Sequence, residues 1–315
     1  MSLAQKILEG DLLAASKLMR DIDDRMPGVP ESLKELYPKT GGAYIIGITG
    51  PPGAGKSTLV DQMVDLFRKE GKKVGIVAVD PSSPFTGGAI LGDRIRMQRH
   101  ATDEGVFIRS LATRGDLGGL SRSTQDVVNV MDAMGKEIIL VETVGVGQDE
   151  VDIVNTAHTS IVVLVPGMGD DIQSIKAGII EIGDIFVINK CDREGADKAE
   201  RDLRMALGLG KKREDGWEPP IFKTEASAGK GIYELVSGIY QHKQALERNK
   251  TLEKKLRERA KVMLFEVLES EMISRFVKKI EDEGDWDRIV DDLVHRRTDP
   301  YSVAEKMIEE ELKNR

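Results

Sequence analysis

The chain has 315 residues, with 54 acidic against 46 basic side chains and a formal net charge of −8. That length suggests about two domains, and the acidic balance disfavours a general role on nucleic acid or an anionic membrane. A single cysteine, Cys191, excludes an intramolecular disulfide and any multi-cysteine metal cluster.

Residues 1–26 place Leu3, Ile7, Leu8, Leu12, Leu13, Ala15 and Leu18 at helical spacing. Pro27, Gly28, Pro30, Pro38, Gly41 and Gly42 then break the pattern. Residues 1–43 are therefore expected to be a helical extension packed on the main domain, with a partner-binding arm as the alternative. The N-terminus lacks the basic lead and long apolar core of a secretory signal. No run approaches the ~18 apolar residues of a membrane span. The expectation is a cytoplasmic protein with neither membrane nor nucleic acid as partner.

From Tyr44 to Leu246 apolar runs alternate with amphipathic stretches. The runs begin with Tyr44–Thr49, 74–79, 106–108, 138–141, 161–165 and 185–188, and a weaker one lies near Ile221-Phe222. Continuous apolar strands separated by helices imply right-handed βαβ units and a mostly parallel sheet covered on both faces. The fold class expected over 44–246 is α/β, of the P-loop NTPase type, because of the stretch that follows the first strand. Gly50-Pro51-Pro52-Gly53-Ala54-Gly55-Lys56-Ser57, with Thr58 next, fits G-x-x-x-x-G-K-[ST] between a strand and a helix. Glycines let the backbone curl so that N–H groups face phosphate oxygens at a helix N-terminus. Lys56 is placed to reach the β- and γ-phosphates and the Ser57 hydroxyl to ligate Mg²⁺. A glycine-rich turn with a solvated lysine is the competing reading.

Asp80 ends the second strand in Val79-Asp80-Pro81-Ser82-Ser83, and Asp93 follows in Leu91-Gly92-Asp93-Arg94. Both can reach a metal if the Thr86-Gly87-Gly88 loop folds over a nucleotide; a capping or turn aspartate explains each equally well. Arginines 94, 96, 99, 109 and 114 can bring charge to phosphates or serve as surface and ion-paired groups. Glu142-Thr143-Val144-Gly145 follows the fourth strand: the carboxylate can hold Mg²⁺, and the glycine N–H can meet a γ-phosphate. Val146 stands where many GTPases carry a water-orienting glutamine, so slow intrinsic hydrolysis is expected; Gln148 lies nearby. Asn189-Lys190-Cys191-Asp192 follows the sixth strand. The Asp192 carboxylate can accept from the N1–H and N2 amine of guanine. Adenine offers no such donor pair, and that mismatch is a source of discrimination. Lys190 can cover the base and Asn189 can brace neighbouring loops. A helix N-cap aspartate is the plainer alternative.

Residues 247–315 turn charged and helical, with Leu252, Leu256, Ala260, Met263, Leu264, Val267 and Leu268 in one stripe, an interruption at Gly284-Asp285-Trp286, and a last helix after Asp299-Pro300.

These motifs, with Pro166-Gly167-Met168-Gly169-Asp170-Asp171 and the run Glu142 to Gln148, resemble the MeaB/ArgK GTPases, the chaperones of methylmalonyl-CoA mutase. The likeness covers nearly the whole chain. It implies a homodimeric GTPase binding GTP and GDP with Mg²⁺, which gates loading and protection of adenosylcobalamin on a B12-dependent acyl-CoA mutase. By that resemblance Ser57, Asp80, Asp93 and Glu142 form the magnesium and switch set, and Lys56, Glu142 and Lys176 carry catalysis. Gly145, Gln148, Asp170, Gln173 and Lys176 relay nucleotide state to the mutase, and the C-terminal helices are the dimerisation arm. The usual Ser-Ala guanine loop falls on Glu225-Ala226-Ser227, with Glu in place of Ser; Ser227-Ala228 is an alternative register. Competing functions are a nickel-delivery GTPase, which the scarcity of Cys and His opposes, a protein kinase of ArgK type, and a regulatory module that binds without hydrolysing.

Overall fold

A computed structural model describes residues 1–80, 98–100, 102–112, 119–143, 156–167, 183–209, 213 and 215–313. Its strands are β1 (Tyr44–Thr49), β2 (Val74–Asp80), β3 (Val106–Ala112), β4 (Ile138–Glu142), β5 (Thr159–Leu164), β6 (Ile185–Asn189) and β7 (Ile221–Thr224). They form one sheet in the order β3-β2-β4-β1-β5-β6-β7, and every neighbouring pair is parallel. The described helices are α1 (Leu3–Leu8), α2 (Leu12–Asp23), α3 (Val29–Leu36), α4 (Lys56–Lys69), α5 (Gly119–Ala133), α6 (Ala196–Leu209), α7 (Ile232–Arg248), α8 (Thr251–Glu283), α9 (Trp286–Val294) and α10 (Pro300–Lys313).

Every residue of β1, β4, β5 and β6 is buried, because helices cover both faces and alternate side chains each meet a core. On one face Ile46, Ile48, Ile76, Leu140 and Val163 pack against Leu59, Met63 and Phe67 of α4 and Leu235 and Ile239 of α7. On the other, Ile45, Val77, Ile139 and Val141 meet Val127 and Met131 of α5 and the N-terminal helices. Those helices contribute Ile7, Leu18, Met19 and Leu36, none more than 1% exposed. Each such burial is worth ~1.5–3 kcal/mol, so the N-terminal extension is part of the core and not a detached arm.

Within that extension the periodic stretch 1–26 is two helices. Gly10 turns the chain at φ +94; Ser2 and Gln5 form a capping box on α1, and Asp11 caps α2 by accepting from the Leu13 and Ala14 amides. The proline-rich stretch beyond also holds a helix. Pro30 sits in the first turn of α3, where a missing N–H costs no intrahelical bond. Downstream, the Asp132 carboxylate of α5 gathers the Gly41, Gly42 and Ala43 amides and sets the entry into β1.

By contact the chain divides into Met1–Arg259 and Ala260–Arg315, the division falling inside α8. In the second unit Lys279 of α8 pairs with Glu310 of α10 at 3.1 Å. Among the described residues no helix is long and apolar enough to cross a membrane.

The amino ends of β1, β5 and β6 meet at a buried polar hub. Asp184, 2% exposed, accepts from the Ser160 amide at 2.9 Å and from Arg213 at 2.6 Å, with Lys255 of α8 at 3.3 Å. Beside it His242 Nδ1 lies 2.8 Å from the Thr159 hydroxyl, itself 2.6 Å from the Tyr44 hydroxyl. His158 Nδ1 accepts from the Ile45 amide at 3.0 Å. Burial lowers His158 to about 3, helped by Arg259, Lys255 and Lys243, and lowers His242 to about 4. In the unfolded chain a histidine titrates near 6.5, so below that pH the unfolded state takes up protons that the folded state refuses. Stability is expected to be full above about pH 6.5 and to fall toward the folded values, by up to ~1.4 kcal/mol per pH unit per histidine. Denaturant unfolding between about pH 7.5 and 4.5 checks this. His158→Asn, which keeps an acceptor for the Ile45 amide, should reduce the slope by about one proton; an unchanged slope would contradict the assignment.

Candidate functional site

At the carboxyl edge of the sheet β1 runs into the loop Gly50–Gly55, and α4 opens at Lys56. Two glycines are obligatory there. Gly50 has φ +140, and a Cβ on it would lie 2.1 Å from the Val163 carbonyl oxygen of β5. Gly55 has φ +86, and its Cβ would lie 2.5 Å from the Asn189 side-chain nitrogen. Gly55 also caps α4 without a side-chain hydrogen bond, so the cap takes none of the first-turn amides, and a helix N-terminus favours an anion. Pro52 and Gly53 are exposed, Pro51 half-buried, and Ala54 buried. The Lys56 ammonium, 6% exposed, donates to the Gly50 carbonyl at 2.6 Å and the Pro51 carbonyl at 3.2 Å. It therefore lies inside the loop's curl. Thr58, half-buried, follows on the first turn.

Ser57 and Glu142 reach each other across the sheet edge: the Ser57 hydroxyl donates to Glu142 Oε1 at 2.7 Å, both groups buried. Two hard oxygen donors this close, beside a phosphate-type loop, fit Mg²⁺, which takes few protein ligands and keeps its waters. Thr143 holds the root of this carboxylate. Its amide donates to the Ile48 carbonyl at 3.0 Å and its hydroxyl lies 3.1 Å from that of Thr49. Asp80 is the last residue of β2, at the same edge. Asp93, Gly145, Gln148, Asp170, Gln173 and Lys176 lie outside the described residues, as do Arg94, Arg96 and Arg114. Arg99 pairs with Asp61 and Asp65, and Arg109 lies 3.9 Å from Asp23 of α2.

The Asn189-Lys190-Cys191-Asp192 segment leaves β6 next to the loop. The Asn189 amide, 2% exposed, donates to the Ala54 carbonyl at 2.8 Å and accepts from the Thr224 hydroxyl at 3.0 Å and the Ala226 amide at 3.1 Å. It thus joins loops following β1, β6 and β7. Lys190 takes a left-handed conformation, φ +57, and its ammonium donates to the Gly53 carbonyl at 2.7 Å. A non-glycine residue held there stores of order 1–3 kcal/mol, a cost found at ligand clamps. Asp192 is exposed. Glu225 turns its carboxylate to Lys230 at 2.7 Å, and the two residues also exchange backbone hydrogen bonds. The departure from the usual serine therefore closes a small clasp, with Ala226 buried inside and Ser227 exposed. Thr224 and the Lys190–Gly53 contact escape sequence reasoning; a hydroxyl just before the Glu225-Ala226-Ser227 loop was the available signal for the first.

A family model described as Methylmalonyl Co-A mutase-associated GTPase MeaB matches residues 20–281. A protein named as a GTPase in Pyrococcus abyssi is 50% identical over 310 residues, covering 98% of this chain and 95% of that one. GTPase ArgK of Escherichia coli is 36% identical over 249 residues, 77% of this chain and 75% of its own. The mitochondrial methylmalonic aciduria type A homolog of Mus musculus is 34% identical over 236 residues, 74% of this chain and 57% of the mouse protein. A crystal structure of an LAO/AO transport system kinase shares the fold with a TM-score of 0.72, over 98% of this chain and 95% of that one, at 24% identity. The match runs from the N-terminal helices through the sheet and along α8, and the chain belongs to the MeaB family of P-loop GTPases.

Proposed function

We propose that this GTPase acts on a B12-dependent acyl-CoA mutase of the methylmalonyl-CoA type, gating the loading and protection of adenosylcobalamin and using GTP hydrolysis as a timing step. The observation that carries it is the Asn189 brace, which fastens the base motif to the phosphate loop, taken with the family's description as mutase-associated. In this reading the loop amides and Lys56 hold the β- and γ-phosphates, Lys190 covers the purine, and Asp192 accepts its N1–H and N2 amine. The backbone of 225–227 borders the base. Ser57 and Glu142 hold magnesium, joined by Asp80 and Asp93. The ion supplies charge neutralisation for phosphoryl transfer. Lys56 withdraws charge from the leaving side, and Gly145 and Gln148 meet the γ-phosphate end. Asp170, Gln173 and Lys176 carry the nucleotide state to the mutase.

We also propose a homodimer through the C-terminal helices. Supporting it, α8 leaves Leu264, Phe265, Leu268, Met272 and Ile273 between 48% and 70% exposed. An apolar stripe of that kind on a polar helix favours a partner surface.

GTP turnover measured with and without a B12-dependent mutase tests the proposal: stimulation by the mutase supports it, and rates indifferent to the mutase count against it. Asp192→Asn should shift preference from GTP toward xanthosine triphosphate by at least about a hundredfold, and unchanged GTP affinity would contradict the base contact. Lys176→Ala should bind GDP normally yet lose stimulation by the mutase; normal stimulation would remove its relay role. Phe265→Glu combined with Leu268→Glu should give monomers in light scattering with GDP affinity intact, whereas a persisting dimer would place the self-contact elsewhere.

A further inference from the structure

The turn between β7 and α7 carries a carboxylate, Glu225, at the position that a guanine loop ordinarily fills with a neutral serine. Its backbone and that of Lys230 exchange two hydrogen bonds. The Glu225 amide donates to the Lys230 carbonyl at 3.1 Å, and the Lys230 amide to the Glu225 carbonyl at 3.2 Å. The Lys230 ammonium closes the clasp by donating to Glu225 Oε2 at 2.7 Å. Gly231, at φ +76, allows the chain to return this closely: a Cβ on it would lie 2.2 Å from the Lys223 carbonyl oxygen.

Direct contacts tie this clasp to the ligand site. Inside it the Ala226 amide donates to the Asn189 side chain at 3.1 Å, and Asn189 donates to the Ala54 carbonyl of the phosphate loop at 2.8 Å. The Cys191 amide donates to the Thr224 carbonyl at 3.0 Å, so Asp192 and Glu225 each follow directly on one of two bonded residues. The charges agree with that placement. The Lys230 ammonium is held above its ordinary value first by its hydrogen bond to Glu225, and Cys191 and Asp192 add to the field. One lysine thus serves two carboxylates.

As a source of stability an ion pair with one partner 71% exposed is worth little. Its effect lies in what the Glu225 carboxylate, only 20% exposed, would do without it. Guanine offers an acceptor, O6, beside the donors that a carboxylate reads, and two neighbouring carboxylates oppose each other's ionisation. We propose that Lys230 is a positioning residue of the guanine site: it sequesters the Glu225 carboxylate, so that Asp192, and not a pair of carboxylates, meets the base. This rests on the reading of Asp192 as the carboxylate that accepts from guanine.

Calorimetric titration with GDP of the wild type, Lys230→Met, Lys230→Arg and the double variant Lys230→Met with Glu225→Ser tests it. Lys230→Met should weaken GDP binding about tenfold at low ionic strength, the size of a like-charge contact near a protein surface. Most of that loss relative to wild type should vanish near ~1 M salt, where the screening length falls to about 3 Å. Lys230→Arg, which keeps the charge, should bind GDP as the wild type does. Adding Glu225→Ser to Lys230→Met should restore affinity to the wild-type range although the ion pair is gone, because the two changes act through one interaction. Unchanged GDP affinity in Lys230→Met would overturn the proposal. So would a loss that persists in the double variant and at high salt, which marks a merely structural clasp. Wild-type protein that binds GDP no more tightly than ADP would instead remove the reading of Asp192 on which the proposal rests.

Discussion

The Asn189 side chain is the contact on which the ligand site depends. A buried carboxamide can donate with one atom and accept with the other, and here both capacities are used: toward the Ala54 carbonyl on one side, and toward the Thr224 hydroxyl and Ala226 amide on the other. An aspartate would set an oxygen against the Ala54 carbonyl, and an alanine would strand several buried polar groups, each costing ~1–3 kcal/mol. The same contact explains Gly55, since a side chain there would occupy the space of the Asn189 nitrogen. The loops that follow β1 and β6 are thus one unit, joined by residues 135 positions apart in the chain.

The sheet makes that unit possible. Parallel strands buried on both faces bring the carboxyl ends of β1, β4 and β6 to one edge, where this class of fold binds its ligands. At the opposite edge Asp184, Thr159, His242 and Lys255 lock the amino ends of β5 and β6, with β1 joined through Tyr44, to α7 and the root of α8. β1 and β6 are held at both ends.

Much of this was legible in the sequence, and for physical reasons. Strands such as Ile138–Val141 and Ile185–Ile188 read plainly because burial on both faces demands unbroken apolar runs. The phosphate loop read plainly because its glycines answer to backbone geometry, and the bracing role of Asn189 followed from its place after β6. The break at Gly10 was less visible, since local caps at Ser2 and Asp11 decide it and not periodicity; the helix around Pro30 was hidden because a proline in the first turn reads as a breaker although it costs no intrahelical bond there. Contacts across long separations left no local trace: Asp61 with Arg99 and His100, or Lys190 with Gly53. The stripe on α8 could be seen, but only packing tells that Leu264 and Leu268 are exposed and Ile280 is buried.

Calorimetric titration of the purified chain with GDP and with ADP, magnesium present, tests the central claim most directly. If phosphate loop and base motif act as one guanine-reading unit, GDP should bind saturably at one per chain and ADP at least about a hundredfold more weakly. Equal affinity for the two, or no heat with GDP and none with a slowly cleaved GTP analogue, would contradict it.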